Sequence, residues 1–287
     1  MAAAARRASA GAATPAGDLS ARRIRRLRCK ILDWYGEHRR DLPWRRTVDP
    51  YAILVAEVML QQTQVARVVG KYEPFLRAYP TLEALASAPT AGVLRHWAGL
   101  GYNARAVRLQ RCAQAAVNVA HGRPAELPAS LEQLRQLPGI GPYTARAILV
   151  FAWNADLAAV DANVRRVLTH ELDLPRDLTP AALQAVAETV LPTGRARDWH
   201  NALMDYGALV LTARATAIAP RARQGPYQGS TRWYRARMLA AVLDRGRLPL
   251  EKVAAELGLA PTRARALAQG LARDGLLTLR DDAIDAP

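Results

Sequence analysis

Only two cysteines, Cys29 and Cys112, occur in the 287 residues, 83 positions apart and in no Cys-x-x-Cys pattern. A four-thiolate metal or iron–sulfur site cannot be assembled from this chain's own side chains, and no metal or cofactor is expected. Thiols so sparse fit a reducing compartment better than a disulfide framework. Lysine is equally scarce: Lys30, Lys71 and Lys252 are the only lysines among 40 basic residues. Acidic residues number 25, leaving a net charge of +15. That balance, carried by arginine's planar fork, suits a polyanionic partner. An Ala- and Arg-rich composition imposed by genome base content would give the same charge, so charge alone does not assign nucleic acid. No apolar run reaches the roughly 18–20 residues that cross a bilayer, which leaves no membrane partner and a cytoplasmic (in a prokaryote, nucleoid-associated) location as the expectation.

Strand-like alternation is also missing before residue 270, and helical periodicity dominates. Helices are expected over about 19–36, 50–68, 70–78, 81–87, 90–97, 103–121, 130–135, 143–153, 161–170, 179–190 and 195–211, with breaks at Leu42-Pro43, Tyr79-Pro80, Ala88-Pro89, Gly122-Arg123-Pro124 and Leu127-Pro128. Residues 1–19, Ala-rich with Arg6 and Arg7 but no apolar core, read as a disordered tail rather than a secretory signal. Residues 20–212 then form one helical domain. Residues 213–231, with Arg214, Arg221, Arg223, Pro220, Gly225, Pro226 and Gly229, read as a basic linker. Residues 232–287 read as three helices (Trp233–Leu243, Leu250–Leu257, Pro261–Arg273) and a short hairpin at Asp274–Arg280. That order is similar to a winged helix, with Arg263 and Arg265 on its third helix. The segment serves either as a DNA contact or as a packing cap.

Two stretches call for a chemical reason. Leu137-Pro138-Gly139-Ile140-Gly141-Pro142-Tyr143-Thr144-Ala145 reads as a tight turn opening a helix. Gly139 and Gly141 there supply backbone freedom where a side chain would clash, so that amide groups and a helix N-terminus can approach a phosphate. Eighteen residues past Tyr143, Asp161 interrupts an apolar stretch, either as a helix cap ahead of Val164 or as a chemical group. Earlier, Glu57 sits within Ile53–Leu60, apolar on nearly all faces. Desolvation there should raise its pKa and let it act as a general acid. A Glu at a helix edge pairing with an Arg is the alternative.

The hairpin and the Asp161 loop resemble those of the helix-hairpin-helix (HhH-GPD) DNA glycosylases. Leu42-Pro43-Trp44-Arg45-Arg46 and Glu57-Val58-Met59-Leu60-Gln61-Gln62-Thr63 resemble the adenine glycosylases of the MutY type. Trp97-Ala98-Gly99-Leu100-Gly101-Tyr102-Asn103-Ala104-Arg105 and Asn201-Ala202-Leu203-Met204-Asp205-Tyr206-Gly207 extend the likeness across about residues 20–212. The resemblance implies an all-α fold of two helical subdomains with the site between them, acting as a monomer on double-stranded DNA with a mismatched or damaged base. By that carry-over Glu57 protonates N7 of the leaving adenine and later helps activate water. Asp161 stays ionised and stabilises the oxocarbenium-like sugar at C1′, a pairing of carboxylates parallel to sugar hydrolysis. Tyr143 lies near sugar and base; bifunctional relatives carry lysine there, so a monofunctional enzyme is implied. Gln62, Thr63, Leu100 and Tyr102 would fill the duplex gap and touch the opposite base after flipping, with core packing (Leu100, Tyr102) or an exposed helix end (Gln62, Thr63) as alternatives. Gly139, Gly141, Arg45 and Asn163 complete the expected DNA contacts.

Two departures accompany the resemblance. Family members usually close the domain with four cysteines holding a [4Fe–4S] cluster, whereas Gly207-Ala208-Leu209-Val210-Leu211-Thr212 is followed by none. MutY enzymes also carry a NUDIX-like C-terminal domain, for which residues 230–287 are too short. Adenine opposite 8-oxoguanine or guanine is the expected substrate. A thymine or uracil glycosylase acting on G mismatches is the alternative within the enzymes, because Val160-Asp161-Ala162-Asn163 and Tyr143 also suit it. A non-catalytic DNA-binding protein on the same scaffold is the alternative outside them.

Overall fold

The computed structural model describes residues 19–218 and 225–287; positions 1–18 of the expected tail, and Arg221 and Arg223 of the basic linker, lie outside the described residues. The elements, in chain order, are α1 (Ala21–His38), α2 (Pro50–Leu60), α3 (Val65–Ala78), α4 (Leu82–Ser87), α5 (Thr90–Trp97), α6 (Ala104–Ala120), α7 (Leu131–Gln136), α8 (Pro142–Trp153), α9 (Ala162–Glu171), α10 (Pro180–Val190), α11 (Ala196–Leu209), α12 (Ala213–Thr216), α13 (Thr231–Arg245), β1 (Leu248–Pro249), α14 (Leu250–Glu256), α15 (Pro261–Arg273), β2 (Thr278–Arg280) and β3 (Ala283–Asp285). The chain divides into two units, residues 1–40 with 156–220, and residues 41–155 with 221–287.

In the first unit α11 packs on α9 and on α1. The α9–α11 approach depends on Gly207, where an added Cβ would lie 2.9 Å from Asn163 Cβ and 3.1 Å from both Asn163 O and Val167 Cγ2. Asp205, fully buried on α11, accepts from the Arg40 amide at 3.0 Å and from its guanidinium at 2.6 Å. A buried carboxylate needs such a partner, because taking it out of water alone is costly. The short α12, from which a hydroxyl-capped turn begins at Thr212, occupies part of what composition reads as linker.

The second unit is built round α2, whose residues Tyr51 to Met59 are all buried. Asp49 starts this helix, accepting from the amides of Tyr51 (3.0 Å) and Ala52 (3.3 Å), with Pro50 at the first helical position where no amide hydrogen is needed. Helices α8, α3 and α6 cover it. The expected helix 50–68 is therefore two, broken at Gln61–Gln64. The C-terminal segment has strand order β1-β3-β2, all antiparallel, and α13 packs on α5. The hairpin lies further along than expected: Gly275 (φ +73°) follows the end of α15, and the reversal is Asp281-Asp282, both left-handed (φ +48° and +54°), as a two-residue turn between twisted strands requires. Arg263 stacks on the Tyr234 ring and Arg265 pairs with Asp282, so both arginines considered for DNA are engaged inside the segment.

Candidate active site

The hairpin forms as expected, but its two glycines do different work. Gly139 has φ +82°, and an added Cβ would lie 3.0 Å from Arg108 Cβ. Gly141 caps α8 at φ −84°, ψ 174°, a conformation open to any residue, and a Cβ there would meet nothing within 4 Å. The expected clash at Gly141 is thus corrected: what glycine leaves there is open space before a helix N-terminus. Tyr143 is the second residue of α8 and half-buried. Glu57 is 8% exposed near the end of α2, the helix packed against α8. Arg45 ends a single 3-10 turn, Pro43–Arg45, and is half-buried.

The loops ahead of α3 and α6 meet, and the residue that joins them is one the sequence reading passed over. Arg105, 5% exposed, donates to the carbonyls of Val58 (2.7 Å), Met59 (2.9 Å), Gln61 (2.6 Å), Leu100 (3.2 Å) and Gly101 (2.9 Å), and to the Thr63 hydroxyl (2.9 Å). Its guanidinium also lies 5.3 Å from the Trp97 ring centroid and 5.7 Å from that of Tyr102. Burial pulls its pKa down to about 10, so it remains a cation at neutral pH. It sits at the C-terminal carbonyls of α2, the negative end of the helix dipole. Those carbonyls lack partners within the helix, and a five-donor planar fork can serve several at once. Thr63 in turn donates to Leu100 O at 3.2 Å.

Gln62 and Tyr102, one in each of these loops, both hold left-handed backbone (φ +55° and +47°), costly for residues of this kind and common at functional sites. Both are exposed. Leu100 is 2% exposed. Its side chain is part of the core in the DNA-free chain and its carbonyl faces Arg105, as the packing alternative expects. Arg105→Lys should lower the unfolding free energy by about 1–3 kcal/mol, because three ammonium donors cannot satisfy the carbonyls the fork serves; urea denaturation measures the change, and an unaltered midpoint would deny the hub its weight.

Asp161 and Asn163 lie on the first unit. Asp161 does cap a helix: its Oδ1 accepts from the Val164 amide at 2.7 Å at the start of α9. Its Oδ2 accepts from Asn163 Nδ2 at 2.9 Å, and Asn163 Oδ1 accepts from Arg166 at 2.6 Å. Arg166, itself buried, also donates to Gly207 O and Leu211 O, both at 2.5 Å. Asn163, expected on DNA, thus has both ends of its amide held in this network. Burial pushes the Asp161 carboxyl above the ordinary carboxylate range, against the opposing pull of the Val164 amide, Asn163 and Arg166. The loop leading to Asp161 is pinned by His200, 1% exposed, whose Nε2 accepts from the Ala159 amide at 2.8 Å while its Nδ1 meets Ala196 O at 2.7 Å. Burial lowers the His200 pKa, which keeps the ring neutral and Nε2 able to accept. Nothing in the spacing of a lone histidine signals that role.

Cys29 is exposed on α1 and Cys112 buried on α6, in different units. Among the described residues no group of three or more His, Cys, Asp or Glu could hold a metal ion. None of the described helices is long and apolar enough to cross a membrane.

Residues 55–192 match the family of HhH-GPD superfamily base excision DNA repair proteins. An adenine DNA glycosylase of Mycobacterium tuberculosis is 38% identical over 283 residues, covering 86% of this chain and 89% of that protein. The chain belongs to this base excision repair family. An adenine DNA glycosylase of Mycolicibacterium smegmatis is 45% identical over 190 residues, covering 65% of this chain; the chain spans 64% of that relative's length. Among solved structures, a thermostable thymine-DNA glycosylase is 31% identical with a TM-score of 0.62, covering 68% of this chain and 90% of that one.

Proposed function

We infer that the chain is an adenine DNA glycosylase of base excision repair, hydrolysing the N-glycosidic bond of adenine mispaired with 8-oxoguanine or guanine. The observation that carries this reading is the carboxyl of Glu57, buried in an otherwise apolar helix of a chain whose relatives are adenine DNA glycosylases. Glu57 gives its proton to N7 of adenine, the C1′–N9 bond breaks with its electron pair leaving on the base, and the Asp161 carboxylate stabilises the positive sugar. Water then adds at C1′ and returns a proton to Glu57. Tyr143 offers no amine to attack C1′, so the product is an abasic site without strand cleavage.

The enzyme works as a monomer and without an iron–sulfur cluster. Two thiols on separate units do not make the four-thiolate set such a cluster takes, and no step above runs through one. A second reading, excision of thymine or uracil facing guanine, is favoured by the 31% identity to a thymine-DNA glycosylase. Single-turnover excision on duplexes with A:8-oxoG, A:G, T:G and U:G pairs, each followed by alkali, separates the two. Release from the two adenine duplexes is the expected result; release confined to T:G and U:G would replace the first reading by the second.

A further inference from the structure

The turn ahead of α13 lies beyond the family match and returns the chain to Tyr102. Arg232, in the first turn of that helix, donates to the Tyr102 hydroxyl at 2.9 Å and to Gly225 O at 2.9 Å. Its guanidinium lies 6.0 Å from the ring centroids of both Tyr102 and Tyr227. The turn is held firmly: Ser230 caps α13, its hydroxyl donates to Tyr227 O at 2.5 Å and its amide to the same carbonyl at 3.1 Å, with Gly229 at φ +72°. Tyr102 and Tyr227 stay 36% and 55% exposed, unusual for large rings.

Two exposed rings sharing one guanidinium offer flat faces and positive charge together. That is the chemistry that binds unstacked nucleobases. Extruding one nucleotide from a duplex leaves one base without a partner, the base facing it. We propose that Tyr227 and Arg232, on the turn ahead of α13, extend the opposite-base contact that the family resemblance implies for Tyr102, and stack with it on that orphaned base. The C-terminal segment then contributes to recognition through its entry rather than through α15, whose Arg263 and Arg265 are already engaged. This inference rests on the base-excision reading.

The test measures binding of the full chain to duplexes in which an uncleavable, fluorinated adenine nucleotide faces guanine, 8-oxoguanine or a tetrahydrofuran residue with no base. Tyr227→Ala and Arg232→Ala should each weaken binding about tenfold when a purine faces the adenine, and less than about twofold when tetrahydrofuran does. Arg232→Lys keeps the charge but loses the plane, and should fall close to the alanine variant. Equal losses on all three duplexes, with Lys restoring affinity, would make Arg232 a phosphate contact and overturn the proposal. So would unchanged binding everywhere, or losses on every duplex accompanied by a lowered melting temperature, since either leaves the cluster a strut. Excision by the unaltered protein is followed on the cleavable duplexes in parallel. Base-dependent losses in a protein that excises no base from any of the A:8-oxoG, A:G, T:G and U:G duplexes would sink the base-excision reading and leave the patch standing.

Discussion

Glu57→Gln should fold and bind DNA as the unaltered protein does while losing adenine excision by at least about 10³-fold, within the reach of a general acid. The two side chains have nearly the same shape, so the packing around residue 57, 8% exposed on α2, is kept. What the amide cannot do is give up a proton to N7. Adenine is a poor leaving group unless protonated, so the barrier rises at the step that breaks the glycosidic bond. Thymine and uracil can depart as stabilised anions, and on T:G or U:G duplexes the same substitution should cost far less. Single-turnover rates on the four duplexes read both effects at once. Equal rates for variant and parent on every base would take Glu57 out of the mechanism.

How far such a site can be read from sequence is set by how local its causes are. Asp49 and Pro50 announce α2, and Pro142 announces α8, because caps and fixed φ act within a few residues. The order of three helices followed by a hairpin in residues 232–287 is legible from punctuation alone, although the hairpin comes a few residues later than the punctuation suggests because Gly275 ends a helix rather than turning a strand. The break between α2 and α3 was not legible. Gln61-Gln62-Thr63-Gln64 contains neither Gly nor Pro; α2 stops where a guanidinium 44 residues away takes the carbonyl of Gln61. Arg105 itself looks in sequence like one more arginine of a basic chain. Leu100 is ambiguous for the converse reason, since apolar character fits core and wedge equally; without DNA it is packed in the core. Gly207, quoted for its resemblance, turns out to have a plain steric cause in the closeness of α9 and α11.

Asp161→Asn is the variant in which excision should fall while stability relative to the parent rises with pH. Asn caps a helix about as well as Asp, so the bond from the Val164 amide survives. The bond from Asn163 is lost or must be rearranged, a modest and pH-independent cost. The charge is a different matter. Burial raises the folded-state pKa of Asp161 above that of an exposed Asp, so the folded chain holds the proton more tightly than the unfolded one. Its favourable contribution is present below the unfolded pKa of about 3.9 and is lost as pH rises through the folded value. At pH 8 the parent therefore carries the cost of an ionised carboxylate that is half-buried and only partly offset by its two hydrogen bonds, and the variant carries none. The melting temperature of Asp161→Asn, relative to the parent, should be higher at pH 8 than at pH 4; taking the difference between the two pH values cancels the hydrogen-bond loss. Excision should meanwhile fall by about 10²–10³ or more, the effect of removing a preorganised charge from a developing cation. A stability gap that does not change with pH would deny that folding raises the Asp161 pKa, and near-parental excision by the variant would deny the carboxylate a role in the reaction.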